Sequence, residues 1–196
     1  MKAVVSVDVG GTFTDVVVLR EDGLLYFFKV PSTPREPEKA VAGVLKRLEG
    51  LEVTEVLHAT TIATNALLGQ VGLELPKVAL VTTKGFRDVV EIGRQNRPRL
   101  YDLFFEKPRQ LVPRSLRFEV DERVDAWGRV LREPSEEELE RVARAVAEAG
   151  AVSVAVSFLH SYANPSNERK AKAVLEKHVE YVSVSHEVAP EPREYE

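Results

Sequence analysis

A chain of 196 residues with 27 Lys and Arg against 31 Asp and Glu, net charge −4, carries no electrostatic footprint for nucleic acid or an anionic membrane surface. Its 44% hydrophobic and 30% charged residues are the composition of one or two globular domains, and no apolar run approaches the ~18 residues that a membrane span needs. The absence of cysteine excludes disulfides, thiolate metal sites and thiol nucleophiles within these residues, and Met1-Lys2 leads straight into an apolar run instead of a signal peptide, so a cytoplasmic location is expected.

Three β-type runs open the chain, at residues 3–7, 13–19 and 24–30, the last two joined by Glu21-Asp22-Gly23. A proline-punctuated stretch follows, and residues 38–48 then place Ala40, Val41, Val44, Leu45 and Leu48 on one helical face. Val56-Leu57-His58-Ala59 predicts a short strand, Asn65-Ala66-Leu67-Leu68 lies in a helix, and residues 78–81 predict a buried strand. Periodicity fails from 94 to 114, where Pro98, Pro108 and Pro113 accumulate, which predicts a long surface connection or arm. Beyond it, runs at 117–124 and 129–131 flank Asp125-Ala126-Trp127-Gly128, a hairpin signal. Ser135-Glu136-Glu137-Glu138 is a capping box for a helix that stops at Gly150, and residues 152–156 predict a strand. Asn164-Pro165 starts a helix to about residue 179, and residues 181–185 predict a last strand. The expected domains are therefore 1–93, 94–114 as a connection, and 115–196 as a second α/β unit, which ends in a polar approach at 190–196 with no closing element.

Between the first two runs stands Asp8-Val9-Gly10-Gly11-Thr12-Phe13-Thr14-Asp15. Glycines let backbone N–H groups approach an anion, threonine hydroxyls add donors to phosphate oxygens, and a carboxylate at a strand end can hold hydrated Mg²⁺. The plain alternative is a tight turn whose polar groups satisfy local backbone. If the turn is a cradle, Gly10 or Gly11 should adopt a glycine-only conformation with its N–H directed into a cleft. Neither the dinucleotide fingerprint nor the Walker-type loop is present, since a strand and not a helix follows the glycines.

The pattern Asp8-x-Gly-Gly-Thr-x-Thr-Asp15 resembles the first phosphate motif of the sugar-kinase, heat-shock-chaperone and actin superfamily of ATPases. More narrowly, the chain resembles the N-terminal region of the hydantoinase A, 5-oxoprolinase and acetone carboxylase family. Four further stretches carry that likeness: His58-Ala59-Thr60-Thr61-Ile62-Ala63-Thr64-Asn65-Ala66-Leu67, Val81-Thr82-Thr83-Lys84-Gly85-Phe86-Arg87-Asp88, Glu91-Ile92-Gly93-Arg94-Gln95, and Ser185-His186-Glu187-Val188-Ala189-Pro190-Glu191. Ala59 stands where the family usually shows glycine. The resemblance implies an α/β fold, a ribonuclease H-like (actin-like) ATPase lobe with a second small α/β unit. It also implies ATP-dependent opening of a cyclic amide such as a hydantoin or 5-oxoproline by phosphorylation of the amide oxygen. On that reading Gly10, Gly11, Thr12 and Thr14 hold phosphate oxygens of ATP, Asp8 holds Mg²⁺ through water, and Asp15 orients the hairpin or a water. A hydantoinase B-like subunit is the implied partner and a homo-oligomer is compatible with it. An acetone-carboxylase-type subunit is the alternative within enzymes, and a non-catalytic binding or assembly module the alternative outside them.

His58, Thr60, Thr61 and Asn65 together suggest substrate or nucleotide contacts at a strand end, with His58 as general base or orienting donor, although one threonine there serves naturally as a helix N-cap. Arg94, Arg97 and Arg99 could grip an anion, but pairing with Glu91 and Asp102 is the stronger expectation. His160 beside Asn164 and Glu168 has no firm metal spacing, His178 suits a helix C-terminus, and Trp127 is open between exposed contact and packing residue.

Overall fold

The computed structural model describes residues 1–69, 72–73, 75–96, 99–107 and 110–192. Arg97, Pro98, Pro108 and the last four residues of the polar C-terminal approach lie outside the described residues. The chain divides into two compact units, Met1–Leu75 and Pro76–Glu196.

In the first unit, β1 (Lys2–Val9), β2 (Phe13–Arg20) and β3 (Leu25–Pro31) form an antiparallel meander. α1 (Pro37–Arg47) begins with a proline in its first turn, where the missing N–H costs nothing. β4 (Glu52–Thr60) returns parallel to β1, and α2 (Ile62–Leu67) follows. β4 starts earlier than its apolar residues suggest because pairing with β1 extends it back to the Lys2–Glu52 register pair. The sheet order is β3-β2-β1-β4, which agrees with the expected ribonuclease H-like α/β lobe. Strand alternation sends Val5, Val7, Val16 and Val18 to one face, where they pack with Val44 of α1. Full burial of each such side chain stabilises by about 1.5–3 kcal/mol.

The second unit holds β5 (Val78–Thr83), α3 (Val89–Ile92), a 3-10 turn (Arg114–Leu116), β6 (Arg117–Val120), a β7–β8 hairpin (Arg123–Val124, Val130–Arg132), α4 (Glu136–Glu148), β9 (Ser153–Ser157), α5 (Ser166–Leu175), β10 (Tyr181–Val184) and α6 (Ser185–Val188). Its main sheet is parallel with order β10-β9-β5-β6, and Ala79, Val81, Val154 and Phe158 pack against Leu139 and Leu175 of the flanking helices. Ser135 caps α4 by accepting the Glu138 N–H at 3.2 Å, as the capping box predicts. No helix or strand lies between α3 and the 3-10 turn among the described residues.

Here the expected domain limits move. β5, placed by its position in the chain within a first domain of residues 1–93, is a central strand of the second sheet, paired with β6 and β9. The division falls between Leu75 and Pro76, not at 93/94. Periodicity reports that a run is buried on both faces; it does not report which strands flank it.

Candidate functional site

β1 and β2 are joined through Gly10-Gly11-Thr12, and the Gly10 N–H donates to the Phe13 carbonyl at 3.1 Å. A Cβ on Gly10 would lie 2.8 Å from that same oxygen. The requirement for glycine at position 10 is therefore steric. Neither Gly10 nor Gly11 adopts the left-handed conformation expected of one of them, and the Gly10 N–H closes the turn instead of entering a cleft.

The turn is held from the side by Ser32, just beyond β3. Its N–H donates to the Thr12 carbonyl at 3.0 Å, and its hydroxyl donates to the Gly10 carbonyl at 2.8 Å. With that proton committed, the Thr14 hydroxyl, 2.9 Å away, is the donor to Ser32. Thr14 is fully buried, so its hydroxyl braces the hairpin and is turned away from solvent. Thr12, by contrast, is exposed at the tip, beside half-buried Gly11.

Asp8 and Asp15 are register partners across β1 and β2, and both are exposed. Like charges placed directly opposite repel. Lys29 on β3, register partner of Asp15, offsets this with an ion pair at 3.0 Å. Two adjacent carboxylates at the Gly10–Thr12 end of the strands are hard oxygen donors of the kind a hydrated Mg²⁺ accepts. Among the described residues no group of three or more acidic or histidine side chains could enclose a metal by itself.

The end of β4 contributes differently. His58 is the register partner of Val7, while Asp8 is paired with Ala59. Successive residues alternate faces, so His58 and Asp8 lie on opposite sides of the sheet. The structure does not bring these two candidates together. His58 instead borders an apolar groove of about 500 Å³ lined by Val9, Val41, Leu45, Thr60 and Ile62. The Thr60 hydroxyl donates to the Val9 carbonyl at 3.3 Å and accepts the Ile62 N–H at 3.2 Å, tying the end of β1 to the start of α2. The Thr61 hydroxyl accepts from the Asn65 side chain at 3.1 Å. Asn65 also lines a crevice of about 10 Å³ with Gly10 and Ser32, which places it beside the Gly10–Thr12 turn.

Ser32 escaped the sequence reading. Its only signal is a hydroxyl within Pro31-Ser32-Thr33-Pro34, and its partners are 18 and 22 residues distant. Also missed was a buried polar network at the carboxyl ends of the second sheet. Glu122 accepts from Thr83 and, at 2.7 Å, from Asn167. Burial raises the Glu122 carboxyl above the ordinary glutamate range, against the lowering pull of those two donors. Fully buried Glu168 accepts the Phe158 N–H at 2.9 Å and the Ser185 hydroxyl at 2.7 Å, and pairs with His186 Nδ1 at 2.6 Å. This gives His186 of the C-terminal motif a structural partner. His160 Nδ1 faces the Val124 carbonyl at 3.0 Å and Asn164 donates to the Gly128 carbonyl at 2.8 Å, so His160, Asn164 and Glu168 serve three separate purposes. His178 pairs with Glu140 at 2.8 Å, Arg99 with Asp102 at 3.5 Å, and Trp127 is exposed with the Arg129 guanidinium 5.3 Å over its ring.

Residues 4–179 match the family model described as the hydantoinase/oxoprolinase N-terminal region. An uncharacterised protein of Methanocaldococcus jannaschii is 46% identical over 98% of this chain and 29% of its own length. The acetophenone carboxylase gamma subunit of Aromatoleum aromaticum is 34% identical over 98% of this chain and 29% of its own. Among solved structures, the ATP-dependent caprolactamase of Pseudomonas jessenii superposes with a TM-score of 0.82 at 31% identity, over 98% of this chain and 29% of that one. The chain thus spans under a third of the length of these relatives. No helix among the described residues is long and apolar enough to cross a membrane.

Proposed function

Since the chain belongs to the hydantoinase/oxoprolinase N-terminal region family, we propose that it is the phosphate-binding part of an ATP-dependent enzyme that opens a cyclic amide. The observation that carries this reading is the β1–β2 hairpin. A turn that admits only glycine at position 10 presents exposed Thr12 at its tip, with Asp8 and Asp15 side by side at its base. The likeness to a caprolactamase, whose substrate class by name is a cyclic amide, supports the reaction type.

An amide carbon is a poor electrophile because nitrogen donates into the carbonyl. Transfer of the γ-phosphoryl group of ATP to the amide oxygen, with release of ADP, takes away that donation, so that water can attack the carbon. The tetrahedral adduct then expels the ring nitrogen as a protonated amine, which opens the ring, and hydrolysis of the remaining acyl phosphate gives the carboxylate and inorganic phosphate. Such a transfer is catalysed mainly by positioning and by neutralising charge on phosphate oxygens. In this chain Thr12 and the Gly11 segment would contact phosphate oxygens, and Asp8, with Asp15, would order hydrated Mg²⁺. Bound Mg²⁺ would supply neutralisation of phosphate charge. Thr14 and Ser32 would hold the turn in shape, and Asn65 would flank it. His58, on the other face of the sheet, would take no part in that phosphate contact.

A carboxylase subunit is the second reading, favoured by the 34% identity to the acetophenone carboxylase gamma subunit. Both readings imply partner subunits, and a hydantoinase B-like chain remains the partner proposed. The test is ADP release by the complete protein with its partner, supplied with cyclic amides or with a ketone and bicarbonate. Asp8→Ala should lower turnover at least about tenfold, equivalent to roughly 1.4 kcal/mol of transition-state stabilisation. Because Asp8 is exposed and faces another carboxylate, its removal should leave folding intact. Turnover at the parent rate in a folded Asp8→Ala protein would remove the assigned role.

A further inference from the structure

Lys29 is the one charged residue of β3, set among Tyr26, Phe27, Phe28 and Val30. Register aligns it with Asp15 on β2 and, through Asp15, with Asp8 on β1, so three charges stand in a row across one exposed face of the sheet. The ammonium lies 3.0 Å from the Asp15 carboxylate and 6.0 Å from the centre of the exposed Phe13 ring, on the residue that follows Thr12. Asp8, one strand further, has no ion pair among the described residues. Stability does not require this arrangement. The two side chains are 62% and 52% exposed, and an exposed ion pair contributes little. A neutral residue at position 15 would remove the repulsion from Asp8 without any lysine. A lysine ammonium is a compact charge on a flexible stem, and so weak a pairing leaves it free to turn to another anion.

We propose that Lys29 is an exchangeable counter-ion: it neutralises Asp15 before ligand binds, then turns to a phosphate oxygen and frees Asp15 to join Asp8 in holding the metal. The inference rests on the phosphate reading given above and adds to it a residue and an order of events. Charge supplies the reason. With Lys29 in place, Asp8 and Asp15 together keep one net negative charge, a weak attraction for a free divalent cation. Without the ammonium, the bare carboxylate pair attracts a free cation more strongly and repels an anionic metal–triphosphate complex more strongly. One side chain therefore works in opposite senses on the two ligands, and retention of the metal becomes conditional on phosphate.

The test is calorimetry on the complete gene product with two probes, Mg²⁺ alone and inorganic triphosphate in excess Mg²⁺. Lys29→Met should bind Mg²⁺ alone at least about threefold more tightly than the parent, and Mg²⁺–triphosphate at least about threefold more weakly. Lys29→Arg, which keeps the charge, should return both constants toward the parent. Adding Asp15→Asn to Lys29→Met should abolish the gain for Mg²⁺ alone, because the carboxylate that the lysine had masked is gone. A merely structural role for Lys29 would shift the unfolding midpoint and leave both binding constants in place. Constants that fail to move in opposite directions in Lys29→Met would overturn the proposal, as would a Mg²⁺ gain that survives the loss of Asp15. Failure of the phosphate reading looks different: the parent itself then shows no triphosphate binding, and this inference falls with it.

Discussion

Replacing Gly10 with alanine puts the steric account of the β1–β2 turn at risk. The new Cβ would stand 2.8 Å from the Phe13 carbonyl oxygen, a distance that backbone atoms do not tolerate, so that carbonyl must retreat by several tenths of an ångström. The same oxygen accepts the Gly10 N–H at 3.1 Å, and retreat weakens that bond. Loss of the bond costs about 1 kcal/mol, and forcing atoms into an occupied space costs about 1–3 kcal/mol. Against this, alanine narrows the unfolded ensemble and returns about 0.4–1 kcal/mol. The net expectation is a loss of about 1–3 kcal/mol. Gly43, in the middle of α1 with nothing within 4 Å of its would-be Cβ, is the internal control. Gly43→Ala should gain about 0.5–1 kcal/mol by helix propensity. The two identical chemical changes should therefore move stability in opposite directions. Hydrogen exchange of the β1 and β2 amides reads the stability of the first unit directly. Gly10→Ala within about 0.5 kcal/mol of the parent, the scatter of an ordinary surface change, would refute the close approach.

Ser32→Ala should destabilise the first unit by about 1–3 kcal/mol, because it strands the buried Thr14 hydroxyl without an acceptor; urea unfolding measures this. Glu122 makes a pH prediction with the sign opposite to most carboxylates. Its folded pKa is raised from the ordinary 4.5 by burial, so the native state holds the proton more tightly, and this contribution to stability is lost as pH rises from 4.5 through the folded pKa. Glu122→Gln should remove that decline, seen as a flatter stability profile above pH 4.5. Residues 1–196 alone should bind Mg²⁺–ATP weakly and little better than Mg²⁺–triphosphate, since the residues proposed here contact phosphate only; calorimetry showing tight, adenine-selective binding would contradict this.

Local patterns in the chain were informative where the cause is local. The strands of the first unit, the Ser135 cap and the Asp125–Gly128 turn follow from alternation, capping chemistry and turn residues and stand in the structure, whereas the run expected at 117–124 is divided, Arg117–Val120 joining β5 in the main sheet and only Arg123–Val124 forming the hairpin arm. The partners of β5 did not follow, because a strand buried on both faces carries the same residues in either sheet. The Asp8–Asp15 motif was visible as a set of residue types, but which of its side chains face the lobe and which face solvent was not. Alternation could have shown that Thr14 faces inward with Val16 and Val18, while Asp8 faces Asp15. It could equally have separated His58 from Asp8 once the β1–β4 register was known, and that register is a long-range property. Ser32 and Glu122 were invisible because their partners are far along the chain.

The two-residue period of the hairpin also sorts what mutation can reach. Along β1 and β2 near the turn, one parity (Val7, Val9, Thr14, Val16) is buried in the lobe, while the other (Asp8, Phe13, Asp15) meets solvent, as does Thr12 in the turn itself. Changes at the first set would be felt as abundance and heat tolerance, whereas changes at the second would leave a protein that still accumulates normally and, on the function proposed above, alter its phosphate contacts. Inheritance can therefore edit the two almost independently. A lineage could rewrite the exposed face and keep the lobe as a scaffold, or harden the lobe for a hotter habitat while the exposed face stays untouched.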